Sequence, residues 1–408
     1  MKKIRFPFPI SRNDELRGGA GWKRIENAIQ QITGRINGLN AITTPEMYGA
    51  IGDGITDDTI SLQKAIDNNK TVTLSQGHIY KISDSLLLKS DTAIIGNGAT
   101  IINNAACRTF GKGETPIDNV IIDGVNLIGS GSNDVSGEWP DINSAIVIAT
   151  KATNITVKNC TFNKFRYGVF IGGEDGQHCY IMNCTFTDCK QAIDTFVEED
   201  GCVTHCIFND CEVAIELETN DNVTTNNFRI SENRVLTTGG DNSVKLHTNI
   251  NNVTIEGNIF DKAIQTGSTN ITDLFIYNNV IGKGSYLGGN FKLCNNIING
   301  ITGITATAEA IIFGNYIEAV GTNEDAFETA SPNIYFINNT ANVARSFLRQ
   351  GGAKAYIIGL RLLAGSIASN IQWSSIVFYD YCGVATPSDA NFNQKLDDTW
   401  KYWETPTP

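Results

Sequence analysis

Apolar and polar residues alternate in short runs through the middle of this chain. The runs are punctuated by a recurring unit: hydrophobic, any, Asn or Gly, Asn or Cys, any, hydrophobic. Ten copies can be read, from Ile122 to Leu127, Val157 to Phe162, Ile181 to Phe186, Val203 to Phe208, Ile230 to Val235, Ile255 to Phe260, Ile276 to Ile281, Leu293 to Ile298, Ile312 to Ile317 and Phe336 to Ala341. Their mean spacing is roughly 24 residues, inside the range of stacked structural repeats. Period-two alternation with β-branched and aromatic residues predicts short strands, and the Gly or Asn position supplies a turn through left-handed backbone angles. No i, i+3, i+4 pattern persists long enough for helical repeats, and the regularly spaced leucines of a leucine-rich repeat are missing. The pattern therefore predicts an all-β parallel β-helix with three strands and three bends per turn, its rungs stacked ~4.8 Å apart.

The fourth position of the unit reads Cys160, Cys184, Cys206, Asn233, Asn258, Asn279, Asn296, Asn315 and Asn339. An interior column of asparagines can hydrogen-bond from rung to rung, and cysteine replaces it as a small hydrophobe. Cys189 with Cys211, and Cys179 with Cys202, are expected to form further stacks. Stacked rungs do not offer the tetrahedron that a zinc site needs. Ten cysteines in 408 residues, with no secretory-type apolar segment at Met1 to Ile10, point to reduced thiols and not to a disulfide framework.

Ahead of the repeats, Ile25, Ile29, Ile32, Ile36 and Leu39 follow a heptad seam. Isoleucine at both core positions favours three or four strands, so residues 22–40 are expected to form a short trimeric coiled coil; an amphipathic helix packed on its own chain is the alternative. Residues 1–21 are expected to be an extended attachment arm, 41–70 an N-terminal cap, 71–363 the solenoid and 364–408 a C-terminal cap or trimer contact rich in aromatics such as Trp400 and Trp403. In the cap stands MYGAIGDGITDDTISLQKAID, from Met47 to Asp67. Here GDG is a tight turn, Thr56 or Asp57 could cap a helix, and Ile60, Leu62, Ala65 and Ile66 would give that helix its apolar side.

That segment resembles the opening of the pectate-lyase-like superfamily, a group of right-handed single-stranded parallel β-helices that includes phage tailspikes, polysaccharide lyases and glycoside hydrolases. The arm and heptad seam resemble the layout of tailspikes and other virion appendages. The resemblance implies a homotrimer assembled in the host cytoplasm, docked to a phage tail or collar protein through the N-terminal arm, that recognises and depolymerises a bacterial surface polysaccharide. It does not transfer catalytic residues: the NTD, DD and GHG motifs of the polygalacturonase branch are missing from the central rungs.

Candidate chemistry has to come from register. The segments Gly168 to Gly172, Ala192 to Phe196, Ala214 to Glu218, Ser243 to His247 and Ala263 to Gly267 should stack in one sheet. With Ile193, Ile215, Val244 and Ile264 inward, one outward column runs Phe170, Asp194, Glu216, Lys245, Gln265; a second runs Gly172, Phe196, Glu218, His247, Gly267. Like charges on neighbouring strands cost stability, so Asp194, Glu216, Glu218, Lys245 and His247 are the candidate catalytic cluster; a solvated polar face is the plain alternative. Hydrolysis by the carboxylates is slightly favoured over β-elimination with Lys245 or His247 as base. The insertion from Gly129 to Asn143 carries Trp139, either a sugar-stacking platform or a loop anchor, and Glu174, Asp175, His178 and Phe196 are candidate substrate contacts.

A formal net charge of -12 opposes nucleic acid phosphates, and no apolar run approaches membrane-spanning length, so neither DNA, RNA nor a membrane is an expected partner. No cofactor is expected; a bound calcium ion stays open. The competing functions are a non-catalytic glycan-binding spike and a structural fibre component.

Overall fold

A computed structural model describes residues 43–381 except 106, 113–115, 132–142, 150, 174–175, 219–223, 237–241, 248, 268–269, 283–284, 301, 306–309, 320–324, 330–333, 344–345, 351–354 and 364–375. The arm and the coiled-coil segment expected at 1–40, and most of the C-terminal segment, lie outside the described residues. The chain divides into Met1–Thr43 and Thr44–Pro408, and every described strand belongs to the second unit.

That unit is a parallel β-solenoid. One turn runs through Ala152–Lys158, Thr161–Asn163 and Tyr167–Gly172, and the next through Gln177–Met182, Thr185–Thr187 and Gln191–Phe196. Each strand pairs in parallel with its equivalents one turn before and after. The three ladders make a separate 12-stranded sheet and two faces that join where Ala355–Leu362 pairs into both. The strands extend past the expected solenoid boundaries at both ends: Asp53–Asp57 already pairs with Ile79–Ile82, and Ile376–Tyr381 pairs with Ala355–Leu362.

The repeat unit accounts for this geometry. Its third residue holds a left-handed backbone at Gly124, Asn159, Asn183, His205, Glu232, Gly257, Asn278, Asn295, Gly314 and Asn338, which turns the chain from one face to the next. His205 and Glu232 accept a conformation that disfavours their side chains, so register outweighs local preference there. The last residue points inward, and Phe162, Phe186 and Phe208 stack with ring centroids 4.5 and 5.1 Å apart.

At the fourth position the expected ladder forms. From Asn233 to Asn315, each asparagine donates its backbone N–H and its Nδ2 to Oδ1 of the asparagine one turn on, at 2.9 to 3.0 Å. The buried amides are thereby satisfied without water. Cys160, Cys184 and Cys206 occupy the same column before the ladder begins, and Cys206 N–H caps it on Asn233 Oδ1 at 2.9 Å.

Cys179 and Cys202 do not stack. Cys179 faces Gly201, whose missing side chain leaves room for the Phe228 ring, while Cys202 lies opposite Tyr180 on the outward side. All nine described cysteines are free thiols, and burial pushes Cys179 up to about 12. Mass spectrometry of the non-reduced protein is expected to return these nine as thiols, with the seven buried ones labelling slowly before unfolding and Cys202 and Cys294 faster. Disulfide-linked peptides among them would show the register to be wrong.

The cap differs in detail from expectation. The helix Thr59–Asn68 is preceded by Asp58, not by Thr56 or Asp57 in the capping position. The Asp58 carboxylate instead accepts the N–H groups of Ile51 and Gly52, at 2.7 and 3.0 Å, and ties the incoming loop to the helix start. Leu62, Ala65 and Ile66 enter the core, whereas Ile60 is 69% exposed because it falls on the opposite face of the helix.

Candidate functional site

The 12-stranded sheet carries the candidate cluster on Tyr167–Gly172, Gln191–Phe196, Val213–Leu217 and Asn242–Leu246, followed by Ala263–Thr266 and Tyr286–Gly288. Its register aligns Phe170, Asp194, Glu216, Lys245 and Gln265 as successive partners. Ile193, Ile215, Val244 and Ile264 are fully buried beneath them. Alternation along each strand therefore turns the charged column to the outward face of the sheet, where Asp194 and Glu216 are nonetheless buried.

Glu216 is the hub. Its Oε1 accepts hydrogen bonds from Lys245 Nζ and His247 Nε2, both at 2.6 Å, and its Oε2 accepts one from Gln191 Nε2 at 2.6 Å. Burial by itself would raise the Glu216 pKa. The hydrogen bonds from His247, Lys245 and Gln191, together with the Lys245 charge, outweigh it and hold the carboxyl down at about 2. Against an ionised carboxylate, the imidazole nitrogen that faces it is the protonated one.

Asp194, one rung away, is in the opposite condition. It is 3% exposed, and its Oδ1 has no hydrogen-bond partner among the described residues. Burial pushes its pKa well above the usual carboxylate range. The negative charges of Glu218 and Glu216 push it further, and Lys245 offsets only part. The two carboxyls are thus shifted in opposite directions, Asp194 up and Glu216 down.

Glu218 follows on the strand's outward side, with its N–H bonded to Thr195 O at 2.9 Å, and His247 N–H bonds Leu217 O at 3.0 Å in the same register. Two carboxylate pairs result. Asp194 and Glu216 are direct rung partners, while Asp194 and Glu218 are diagonal, a Cα separation of about 7–8 Å. Retaining and inverting glycosidases differ in the separation of their two carboxyl groups, and the direct pair offers the shorter backbone spacing and the diagonal pair the longer one.

The remaining candidates are more scattered. Trp139, Glu174 and Asp175 lie outside the described residues. Phe196 is opposite Gly172 in the ladder, and its side chain lies outside the described set. His178 sits on a different face, on Gln177–Met182, with Nδ1 3.6 Å from Asp200 Oδ2. Two residues of the site were not anticipated. Gln191 opens its strand and reaches over to Glu216, and Tyr167, its register partner, has its pKa raised chiefly by burial, with Arg166 lowering it and the nearby Asp194 and Glu218 adding smaller increases. Both precede the alternating stretch, where a bend hides their outward direction from a period-two reading.

Among the described residues no group of three or more His, Cys, Asp and Glu could hold a metal ion. No described helix is long and apolar enough to cross a membrane.

Comparison with known proteins places this geometry. A stretch of 56 residues is 48% identical to a capsule K30/K69-specific depolymerase of Klebsiella phage K64-1, covering 13% of this chain and 7% of that protein. The surface adhesin PfbA of Streptococcus pneumoniae is similar in structure, with a TM-score of 0.56 at 18% identity over 86% of this chain and 93% of that one. The tailspike of E. coli bacteriophage HK620, solved in complex with a pentasaccharide, gives 0.55 at 12% identity over 81% of this chain and 68% of that one. At these identities the structures show the fold alone, and the fold is that of a tailspike-like parallel β-solenoid. Matched over residues 55–262, just over half of its length, the chain belongs to the family described as Adenovirus EB1 55K protein / large t-antigen.

Proposed function

We propose that this chain is the glycan-recognising body of a tailspike-type protein and a depolymerase that cleaves a bacterial surface polysaccharide by hydrolysis, with Asp194 as general acid. One observation carries the reading: two carboxyl groups on adjacent rungs, Asp194 and Glu216, stand in unlike surroundings, one buried with an unpartnered Oδ1 among the described residues and one holding three hydrogen bonds, which pull their pKa values in opposite directions. A pair of titratable groups whose environments pull their pKa values apart is the signature of an acid and an anion with separate tasks. Asp194 supplies the proton to a leaving glycosidic oxygen, and the fixed negative charge nearby stabilises the positive charge that develops on the sugar ring. Glu216 already accepts three hydrogen bonds, which leaves Glu218 as the carboxylate with room to activate a water on the diagonal, inverting geometry. Elimination is less well supported, because Lys245 and His247 are both committed to Glu216 Oε1.

The similarity to a capsule-specific phage depolymerase and the tailspike-like fold support a capsular or other surface polysaccharide as substrate and a place on a virion tail. Trimeric assembly in the host cytoplasm, with the N-terminal arm attaching to a tail protein, belongs to the same proposal. A glycan-binding spike without turnover is the second reading, favoured by the saturation of Glu216. Incubation with a panel of purified Klebsiella capsular polysaccharides that includes the K30 and K69 types distinguishes the readings. Hydrolysis is expected to release new reducing ends without ultraviolet-absorbing products. Unsaturated products would move the chemistry to Lys245 and His247, and bound but uncut polymer would leave the binding spike.

A further inference from the structure

We propose that Tyr286 is a distal sugar-binding platform for the same polymer, on the same outward column as Asp194 and Glu216; this rests on the glycan reading above. The ladder continues past Lys245 to Gln265, and Gln265 is the register partner of Tyr286. Four rungs separate Asp194 from Tyr286, about 19 Å along the solenoid. A glycan lying along the sheet would thus follow the column that carries both the acid and the aromatic ring.

The surroundings of the ring are open in the way a platform needs. Tyr286 is 42% exposed although it stands in a strand of a stacked sheet. Its partner on the following rung is Gly303, and the next outward position on its own strand is Gly288, so neither neighbour has a side chain to cover it. Gly288 is fixed by its N–H donating to Thr266 Oγ1 at 2.6 Å, and Ser285 is anchored by accepting Ile264 N–H at 3.2 Å. These bonds on both sides of Tyr286 hold its backbone in register. On the preceding rung Gln265 is exposed, with its Oε1 engaged by Asn242 Nδ2 at 2.9 Å, and no acceptor among the described residues takes its own amide, which can donate to sugar hydroxyls.

The ligand that fits is a pyranose ring with an apolar face, a few sugars from the bond that is cut. A tyrosine face covers that surface and its hydroxyl bonds the rim, at little conformational cost. An exposed aromatic amid glycines is a poor solution for stability alone, since it leaves its apolar area in water.

The test uses the full chain with Asp194→Asn, so that bound sugars are not cut, and fragments of the panel polysaccharide it retains. Fragments of about two sugars are too short to span from the acid to Tyr286, and fragments of about eight are long enough. Tyr286→Ala is expected to weaken the long fragments roughly two- to ten-fold and leave the short ones unchanged, with Tyr286→Phe near the parent. On the active chain the same change should raise KM for polymer and leave kcat alone, because a remote contact is made equally in ground and transition states. Unchanged affinity for long fragments overturns the platform, as does an equal loss for short and long ones. A change of oligomeric state on light scattering overturns it too, by showing that the ring is a contact between copies. If the parent chain retains no polysaccharide of the panel, the glycan reading falls and the platform with it; if it retains one and Tyr286→Ala does not matter, only the platform falls.

Discussion

Asp194→Asn is expected to lower turnover by about 10²–10⁴-fold while glycan binding and the solenoid survive, because a general acid contributes in the transition state and little to ground-state affinity. The asparagine keeps the size of the side chain and removes the transferable proton. The pH dependence has a definite direction. The folded-state pKa of Asp194 is raised, by burial first and then by Glu218 and Glu216, so activity should decline as pH rises through that raised value. Stability follows the same sign. The folded chain binds this proton more tightly than the unfolded chain, so the contribution is intact below about 4, the unfolded aspartate value, and is lost as pH climbs through the raised folded value. Asp194→Asn should therefore flatten the fall of melting temperature with rising pH while it lowers turnover. An enzyme that kept its rate with asparagine at 194 would exclude this residue as the acid. Glu216→Gln separates a second role: it should loosen Lys245 and His247 and cost activity, whereas Glu218→Gln should remove the water-activating group with those two side chains still in place. Comparing reducing-end release by the two variants reads out that difference.

Asn279→Ala is expected to be the most damaging small change in the core. The two hydrogens of Asn279 Nδ2 are shared among Ile255 O, Tyr277 O and Asn296 Oδ1, and its own Oδ1 accepts both the N–H and the side-chain amide of Asn258. Truncation leaves buried donors and acceptors on both neighbouring rungs without partners, at about 1–3 kcal/mol for each group left unsatisfied. A cost of roughly 3–5 kcal/mol is expected, on the scale of breaking a buried polar network. The same substitution at Asn278, one residue earlier and on the turn, removes only a residue suited to the left-handed backbone and should cost about 1 kcal/mol. Urea denaturation of the two variants would check the contrast. Equal losses would mean that the ladder adds little beyond the turn geometry.

Much of this molecule is determined by sequence alone, because its order is local and repeated. Alternation with period two decides which residues of each strand face inward, the Asn or Gly position turns the chain, and repetition at nearly constant spacing forces the turns to stack. Those properties set the solenoid, the Asn233 to Asn339 column, the buried thiols at Cys160, Cys184 and Cys206, and the outward line from Phe170 through Asp194, Glu216 and Lys245 to Gln265. Strand pairing across rungs decided the rest. A one-residue offset at Gly201 put Cys202 outside and left Cys179 without its expected partner. His178 came to lie on another face, in the strand Gln177–Met182, and the loop at Ile51 and Gly52 claimed Asp58. The division of labour between Asp194 and Glu216 was likewise invisible in the pattern, where both are acidic residues at equivalent positions. Gln191, Lys245 and His247 converge on Glu216 from two other strands, and no donor among the described residues reaches Asp194 Oδ1. Periodicity fixes the direction of a side chain, but its protonation depends on charges and donors brought within a few ångströms by residues distant in the chain, and only the tertiary structure assembles those.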